Sequence, residues 1–168
     1  MKINILRAIL ILMLLGTFYI IFGFSSQDAE ESSSVSRQVT ETVTKDIKKI
    51  QKLEPTEKEK VLSKIEHIIR KIAHFSLYTL VGILLMSLMS TYNLQQKTRY
   101  TSSLAAGIIY AISDEIHQSF TPGRSPMVGD VFIDTCGVIF GIILVRIGMG
   151  IITKIQRKND KNNKESQI

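Results

Sequence analysis

The chain has 168 residues, of which 45% are hydrophobic, and a formal net charge of +6. Long uncharged stretches alternate with segments that carry nearly all of the charge. This excludes an ordinary water-soluble domain, in which charge is spread more evenly, and a fully disordered chain, which would contain fewer apolar residues. The single cysteine, Cys136, excludes an intrachain disulfide. Basic residues flank the apolar stretches, which favours a membrane over nucleic acid as the partner.

The first apolar stretch covers residues 8–24 and follows Lys2 and Arg7. Together with residues 3–6 it can cross a hydrocarbon core of about 30 Å while the Arg7 side chain reaches the interface. A cleaved signal peptide is the alternative, but Phe22 and Phe24 are bulky where a cleavage site needs small residues. We therefore predict a transmembrane helix over residues 1–24.

Residues 25–70 form a long polar segment that contains two helical patterns. The second pattern begins at Pro55 with the capping box Thr56-x-x-Glu59 and leads into the next apolar stretch. We expect an extracytoplasmic amphipathic segment that packs on the bilayer surface or on the helix bundle, rather than a dedicated binding element. The first pattern is a narrow apolar stripe at helical spacing: Val35, Val39, Val43, Ile47 and Ile50.

Three further helices complete a predicted all-α, polytopic membrane protein with a bundle of four transmembrane helices. Residues 72–92 and 131–152 are long enough to span. The uncharged run 101–113 covers only about 20 Å as a helix, so it spans only if residues 114–120 continue the helix into the membrane. A re-entrant helix is the alternative. We assign residues 71–153 to the core with helices two to four, and residues 154–168 to a basic tail.

The distribution of Lys and Arg predicts how the bundle is oriented. The N-terminus, the loop 93–100 and the tail after residue 153 are rich in basic residues and fall on one side of a four-span model. The loop between the third and fourth spans has Arg124 as its one basic residue. By the positive-inside rule, both termini are cytoplasmic and the protein lies in the cell membrane.

Polar residues gather at the opposite, outer level of the predicted bundle. The second and fourth spans begin there and the third ends there, so topology makes these residues neighbours. On each helix they recur three or four positions apart, which places them on one face. A charged group at membrane depth costs about 2.5–3.5 kcal/mol, so a cluster of them indicates a function. The candidate binding residues are Lys71, His74, Tyr78, Asp114, Glu115, His117, Gln118, Arg124, Asp130 and Asp134.

Simple ion pairing is the alternative for individual members of this cluster. Lys71 with Glu115, and Arg124 with Asp130 or Asp134, could fix the helix register and do nothing more. The turn-rich loop after the third span also allows Arg124 to meet a carboxylate in a bidentate pair. The whole cluster, however, contains more ionisable and polar residues than are needed to fix the helix register.

Two further features concern packing. Gly137 and Gly141 continue the stripe of Asp130 and Asp134 as a Gly-x-x-x-Gly face, which lets another helix approach closely. This face serves either the packing of the chain itself or a homo-oligomer. For Tyr78 taken alone, an aromatic anchor at the membrane interface is the favoured interpretation.

Three sequence segments resemble the VanZ-like family of bacterial membrane proteins, over about residues 18–141. They are the segment Arg70-Lys71-x-x-His74-Phe75-x-x-Tyr78, the segment Phe24-Ser25-Ser26-Gln27, and the run Ser113-Asp114-Glu115-x-x-Gln118-x-Phe120-x-Pro122-Gly123-Arg124, which is followed by Asp130 and Asp134-Thr-Cys-Gly137. Two features depart from the family pattern: Ser76-Leu77 stands where an acid is common, and the loop 28–70 matches no family pattern.

The resemblance implies an integral membrane protein of Gram-positive-type bacteria, in a family linked to low-level resistance to teicoplanin. It does not say what the motif residues bind. The residues that it carries over to this chain are Lys71, His74, Tyr78, Asp114, Glu115, Gln118, Pro122, Gly123, Arg124, Asp130, Asp134 and Gly137.

Three functions follow from these features. The favoured one is binding of an amphiphilic cell-envelope molecule, such as a lipid-linked cell-wall precursor or a lipophilic glycopeptide, at an outward-facing polar site. The second is an intramembrane enzyme acting on a lipid-linked substrate, in which a carboxylate serves as general acid or base or a divalent metal is held by His74, Asp114, Glu115 and His117. No H-E-x-x-H spacing is present, so we expect no metal and no cofactor. The third, a transporter, lacks a polar path through the cytoplasmic half. The expected partners are membrane lipid, such a ligand and a second copy, without nucleic acid.

Overall fold

The computed structural model describes residues 2–124 and 127–165, and the elements in this part of the chain are all helices. The predicted all-α class is therefore confirmed. The helices are α1 (Lys2–Ser25), α2 (Ala29–Thr44), α3 (Lys48–Gln51), α4 (Pro55–Ser90), α5 (Gln96–Gln118) and α6 (Val128–Glu165).

Three helices are long and apolar enough to cross a membrane: Lys2–Ser25, Pro55–Ser90 and Val128–Asp160. They make the chain a multi-pass membrane protein. The fourth predicted span, α5, is not among the helices that are long and apolar enough, because charged residues such as Arg99 and Asp114 flank its short uncharged run. The predicted second amphipathic helix and second span are one continuous helix, α4, and α6 continues from the fourth predicted span into the basic tail.

The helices bury polar side chains and leave large apolar ones exposed, the reverse of a water-soluble protein. Leu12 is 68% exposed, Tyr19 is 79% exposed and Ile109 is 67% exposed, whereas Ser103 is fully buried and Asp134 is 2% exposed. An apolar exterior is what a hydrocarbon environment requires, and polar groups then lie in the interior where they find partners.

Contacts at both ends of the bundle give the helix directions. α4 and α6 run parallel, since Lys71 lies beside Asp130 near one end and Ser90 lies beside Met149 near the other. α1 runs antiparallel to α4, because Arg7 donates hydrogen bonds to the Thr91 side chain and carbonyl at the end of α4. The start of α1 and the C-terminal half of α6 therefore lie at the same end of the bundle.

α5 runs antiparallel to α4 and parallel to α1. Its N-terminal part contacts α4 through Ser103 and Met86, and its C-terminal part contacts α4 through Asp114 and Tyr78. The 23 residues of α5 give a length of about 35 Å. α5 therefore extends from one end of the bundle to the other, alongside α4 and α1.

The closest packing joins α4 to α6 through glycines. A Cβ atom on Gly137 would lie 2.6 Å from the Phe75 carbonyl oxygen, and one on Gly141 would overlap the Thr79 carbonyl oxygen. Both glycines therefore serve packing within the chain. This was one of the two alternatives that the sequence left open for the Gly-x-x-x-Gly face.

The predicted apolar stripe of α2 does not pack against the bundle. Val35, Val39 and Val43 are 46%, 45% and 60% exposed. The face of α2 that is buried carries small hydroxyl residues instead. The hydroxyls of Ser36, Thr40 and Thr44 each donate a hydrogen bond to the backbone carbonyl four residues earlier. These hydroxyls can therefore be buried with their donors satisfied. The buried residues are Ser32, Ser36, Thr40 and Thr44.

Polar contacts fix α2 along the N-terminal half of α4. Arg37 donates two hydrogen bonds of 2.7 Å to the Glu59 carboxylate, and Arg70 donates one of 2.9 Å to the Ser33 hydroxyl. The hydrogen bonds to Glu59 raise the pKa of Arg37 above its ordinary value. The predicted helix is present, and its apolar stripe, expected either on the bilayer surface or against the bundle, lies on the exposed side.

Replacing Gly141 by leucine should destabilise the protein, because even a Cβ atom there meets the backbone of α4. Overpacking of this kind costs typically 1–3 kcal/mol. The midpoint of thermal unfolding in detergent, followed by circular dichroism, should fall. Gly148→Leu on the same helix is the matched control, since nothing lies within 4 Å of a Cβ at Gly148. Equal midpoints for the two variants would contradict the packing described here.

Candidate functional site

A cavity of about 280 Å³ lies at the end of the bundle where α1 and α5 end and α6 begins. α4 supplies most of its basic residues, α6 supplies its acidic residues, and the loop after α5 supplies Arg124. The lining residues are His67, Arg70, Lys71, His74, Gln118, Gly123, Arg124, Met127, Asp130, Ile133 and Asp134.

Three side chains from three helices meet beside this cavity. His74 of α4, Asp114 of α5 and Asp134 of α6 each offer a ligand atom, and these atoms lie within 4.8 Å of one another. Both carboxylates are buried, and the His74 Nδ1 atom lies 3.8 Å from Asp134 Oδ1. The expectation that residues distant in sequence gather at one level of the bundle is confirmed for these three.

Asp114 is held in place by two donors. Its Oδ2 atom accepts a hydrogen bond of 3.1 Å from the Tyr78 hydroxyl and one of 3.1 Å from the Gln118 amide. The Gln118 amide also lies 3.2 Å from the Ser25 hydroxyl at the end of α1. A chain of hydrogen bonds therefore links α1, α4 and α5 and fixes the orientation of this carboxylate.

Tyr78 is fully buried in the core, so it is not an interfacial anchor and that interpretation was wrong. It does not line the cavity either. Its hydroxyl acts on the site through Asp114, which makes Tyr78 a positioning residue.

Two arginines bring positive charge to the cavity. Arg124 donates to the Phe24 carbonyl at 3.2 Å, and Arg70 donates to Glu66 at 3.3 Å. The Nε atoms of both are buried and have no hydrogen-bond partner in the described part of the chain. Burial lowers the pKa of the Arg124 guanidinium from its ordinary value, and the like charge of Arg70 lowers it further. Arginine stays protonated in proteins despite such shifts.

The ion pairs differ from those that the sequence suggested. Lys71 pairs with Asp130 at 3.4 Å instead of with Glu115. Glu115 accepts a hydrogen bond of 2.6 Å from the backbone N–H of Met127, just before α6 begins. Among the described residues Arg124 forms no ion pair, so the expected bidentate contact with a carboxylate is absent. Glu115 and Arg124 thus have backbone groups as partners, and sequence spacing does not reveal such contacts.

His117 is separated from the cavity. Its ring stacks on Phe22 with centroids 4.4 Å apart, and its Nε2 atom lies 3.1 Å from the Ser26 hydroxyl. A residue three positions along a helix is rotated by about 300°, which leaves it about 60° away from the first side chain. This rotation turns His117 toward α1 while Asp114 faces α4.

Sequence reasoning missed several residues of the site, among them the apolar lining residues Met127 and Ile133 and two polar residues. His67 lines the cavity and stands one turn before Lys71 and two turns before His74, so extending the helical stripe backwards would have found it. Ser25, the partner of Gln118, lies in the Phe24–Gln27 segment of the family resemblance, but nothing in the sequence indicated its contact.

The chain was compared with known proteins at three levels. The family model described as VanZ/LLP1 matches residues 10–149, which include every lining residue of the cavity. The search of curated proteins and the search of solved structures found no match.

Replacing Tyr78 by phenylalanine should lower stability, because it leaves Asp114 Oδ2 with one donor instead of two in a buried site. Loss of a hydrogen bond to a charged acceptor costs about 1.5–3 kcal/mol. Thermal unfolding in detergent measures the change. Ser76→Ala is the control on the same helix, because its exposed hydroxyl donates to the Ile72 carbonyl of its own helix and to no other group among the described residues. A Tyr78→Phe protein as stable as the control would show that this hydrogen bond contributes nothing.

Proposed function

This chain belongs to the VanZ/LLP1 family, and we propose that it binds an anionic, phosphate-bearing amphiphile of the cell envelope at its polar cavity. A lipid-linked cell-wall precursor has this chemistry. The observation that carries the proposal is the pair of cavity arginines, Arg70 and Arg124, whose buried Nε–H groups have no acceptor in the described chain.

An anion supplies what these arginines lack. A buried donor without an acceptor costs about 1–3 kcal/mol, and phosphate oxygens are good acceptors for the planar guanidinium group. Lys71 is already paired with Asp130 and Arg70 partly with Glu66, whereas Arg124 has no carboxylate partner among the described residues. Arg124 is therefore the strongest single anchor for a phosphate group.

The size of the cavity favours a headgroup over a whole antibiotic. Pockets that enclose drug-sized molecules measure roughly 300–1,000 Å³, and this cavity measures about 280 Å³. One or two phosphate groups fit such a space, but a glycopeptide does not. A contribution to teicoplanin resistance would then act through the lipid-linked precursors of the cell wall rather than through enclosure of the antibiotic.

Apolar residues beside the cavity suit the lipid part of such a ligand. Met127 and Ile133 line the cavity, and Met127 is 48% exposed. The neighbouring Phe120 and Phe132 are 81% and 69% exposed. A hydrocarbon chain that leaves the cavity next to these side chains stays in contact with apolar surface and with the bilayer.

We also propose that α5 is a fourth span and that the cavity opens on the outer side. α5 runs between the same two ends of the bundle as α1 and α4, and its Ile109, Ile112 and Ile116 are exposed as lipid-facing residues would be. The basic residues Lys97 and Arg99 at its start support a cytoplasmic location for that end. Both termini would then be cytoplasmic.

A second candidate function is an intramembrane enzyme that acts on the same kind of lipid-linked substrate. It is favoured by the three potential ligand groups of His74, Asp114 and Asp134 beside the cavity arginines. Release of inorganic phosphate from farnesyl diphosphate by the purified protein would distinguish this function from binding alone.

Farnesyl diphosphate, a short prenyl diphosphate, should bind the purified protein in detergent more tightly than farnesol, which lacks the phosphates. Arg124→Gln should weaken this binding at least tenfold, because a charge-assisted hydrogen bond contributes about 1.5–3 kcal/mol. Microscale thermophoresis measures both affinities. Arg157→Gln, on the exposed C-terminal part of α6, removes the same charge far from the cavity and should have no effect. Equal affinities for the two prenyl compounds would refute the proposal.

The proposed topology predicts the labelling of single cysteines in a Cys136→Ser background. A membrane-impermeant maleimide applied to intact cells should label Ser119→Cys, and should label Asn93→Cys only after the membrane is permeabilised. These positions flank α5 at its two ends. Labelling of both positions in intact cells would show that α5 does not cross the membrane.

A further inference from the structure

We propose that His74, Asp114 and Asp134 form a binding site for a first-row divalent cation, such as Mn²⁺ or Zn²⁺. Imidazole nitrogen and carboxylate oxygen are ligands that both ions accept. The three residues come from α4, α5 and α6. The sequence predicted that they gather at one level, and the structure shows that their ligand atoms converge. The expectation of no metal rested on the absence of a local motif, and such a motif is not needed when ligands come from separate helices.

The separations of the ligand atoms are close to those in a cation site. Three ligands at about 2.1 Å from a tetrahedral ion lie about 3.4 Å from one another. The ligand atoms of the three residues lie within 4.8 Å, and His74 Nδ1 lies 3.8 Å from Asp134 Oδ1. A bound ion would draw the three ligand atoms closer together than they lie in this structure.

Asp134 independently indicates a missing ligand. The residue is 2% exposed, lines the cavity, and its Oδ1 atom has no hydrogen-bond partner among the described residues. A buried carboxylate oxygen without a donor is costly in the membrane interior. A bound cation would satisfy this oxygen.

Asp114 has hydrogen-bond donors around it, as the ligands of metal sites usually do. Tyr78 and Gln118 both donate to its Oδ2 atom, which fixes the carboxylate plane. Such outer partners orient the ligands of metal sites, and their loss typically lowers metal affinity 10–100-fold. Tyr78 and Gln118 belong to the segments that resemble the family, and the cation site gives them a shared role.

The cation would lie beside the cavity arginines, where it could contact a phosphate oxygen of the ligand. This link to the ligand rests on the proposed function, whereas the cation site itself rests only on the geometry of its three residues. The two are therefore tested in separate titrations, with Mn²⁺ alone for the site and with farnesyl diphosphate for the function.

The test uses full-length protein in detergent, freed of metal with EDTA and dialysed. Isothermal titration with MnCl₂, repeated with ZnCl₂, should show about one equivalent bound per chain, and elemental analysis after gel filtration should recover it. Asp134→Asn, which keeps the shape of the side chain, should abolish binding. Tyr78→Phe should retain the site and weaken affinity about tenfold.

Asp160→Asn is the matched control, because it removes a carboxylate from the same helix outside the bundle. Its affinity should equal that of the wild type. Less than about 0.1 equivalent of either ion bound to folded wild-type protein would overturn the proposal. Undiminished binding by a folded Asp134→Asn protein would overturn it as well, and the wild-type result decides the question if that variant does not fold.

Discussion

The close approach of α4 and α6 is the constraint on which the rest of the structure depends. Gly137 and Gly141 let the α6 backbone meet the carbonyls of α4, and this contact fixes both the distance and the register of two parallel helices. Because the register is fixed, His74 of α4 lies opposite Asp134 of α6. Larger side chains at the glycines would separate the helices and pull the ionisable groups of the cavity apart.

Buried polar groups beside an apolar core, inside an apolar exterior, accompany the same packing. Helices in a bilayer gain little by burying leucine, since lipid is equally apolar, so close packing and hydrogen bonds between helices supply the stability. Here α5 contributes Asp114 and Gln118, which connect to Tyr78 of α4 and Ser25 of α1. This network binds three helices together and orients one carboxylate at the cavity. Its members therefore serve stability and the proposed binding site at once.

The proposed phosphate ligand and the proposed cation complement each other chemically. Within the described part of the chain, Arg70 and Arg124 each have a buried donor without an acceptor, and Asp134 has a buried acceptor without a donor. These groups face one small cavity, and internal pairing has not satisfied them. A cation beside the carboxylates and an anion beside the arginines would satisfy both sets. The two proposed ligands together would be a pair of opposite charges, as in a metal-bound phosphate headgroup.

The sequence by itself determined the helical class, the strongly apolar spans and the level at which His74, Asp114 and Asp134 gather, because hydropathy and helical period are local properties. Tertiary structure alone decided which face of α2 packs inward and that His117 turns away from the cavity. It also decided that backbone groups contact Arg124 and Glu115, in place of the aspartate and the lysine that the sequence suggested for them. These outcomes depend on how the backbones of distant segments approach one another, and no local pattern in the chain encodes that distance.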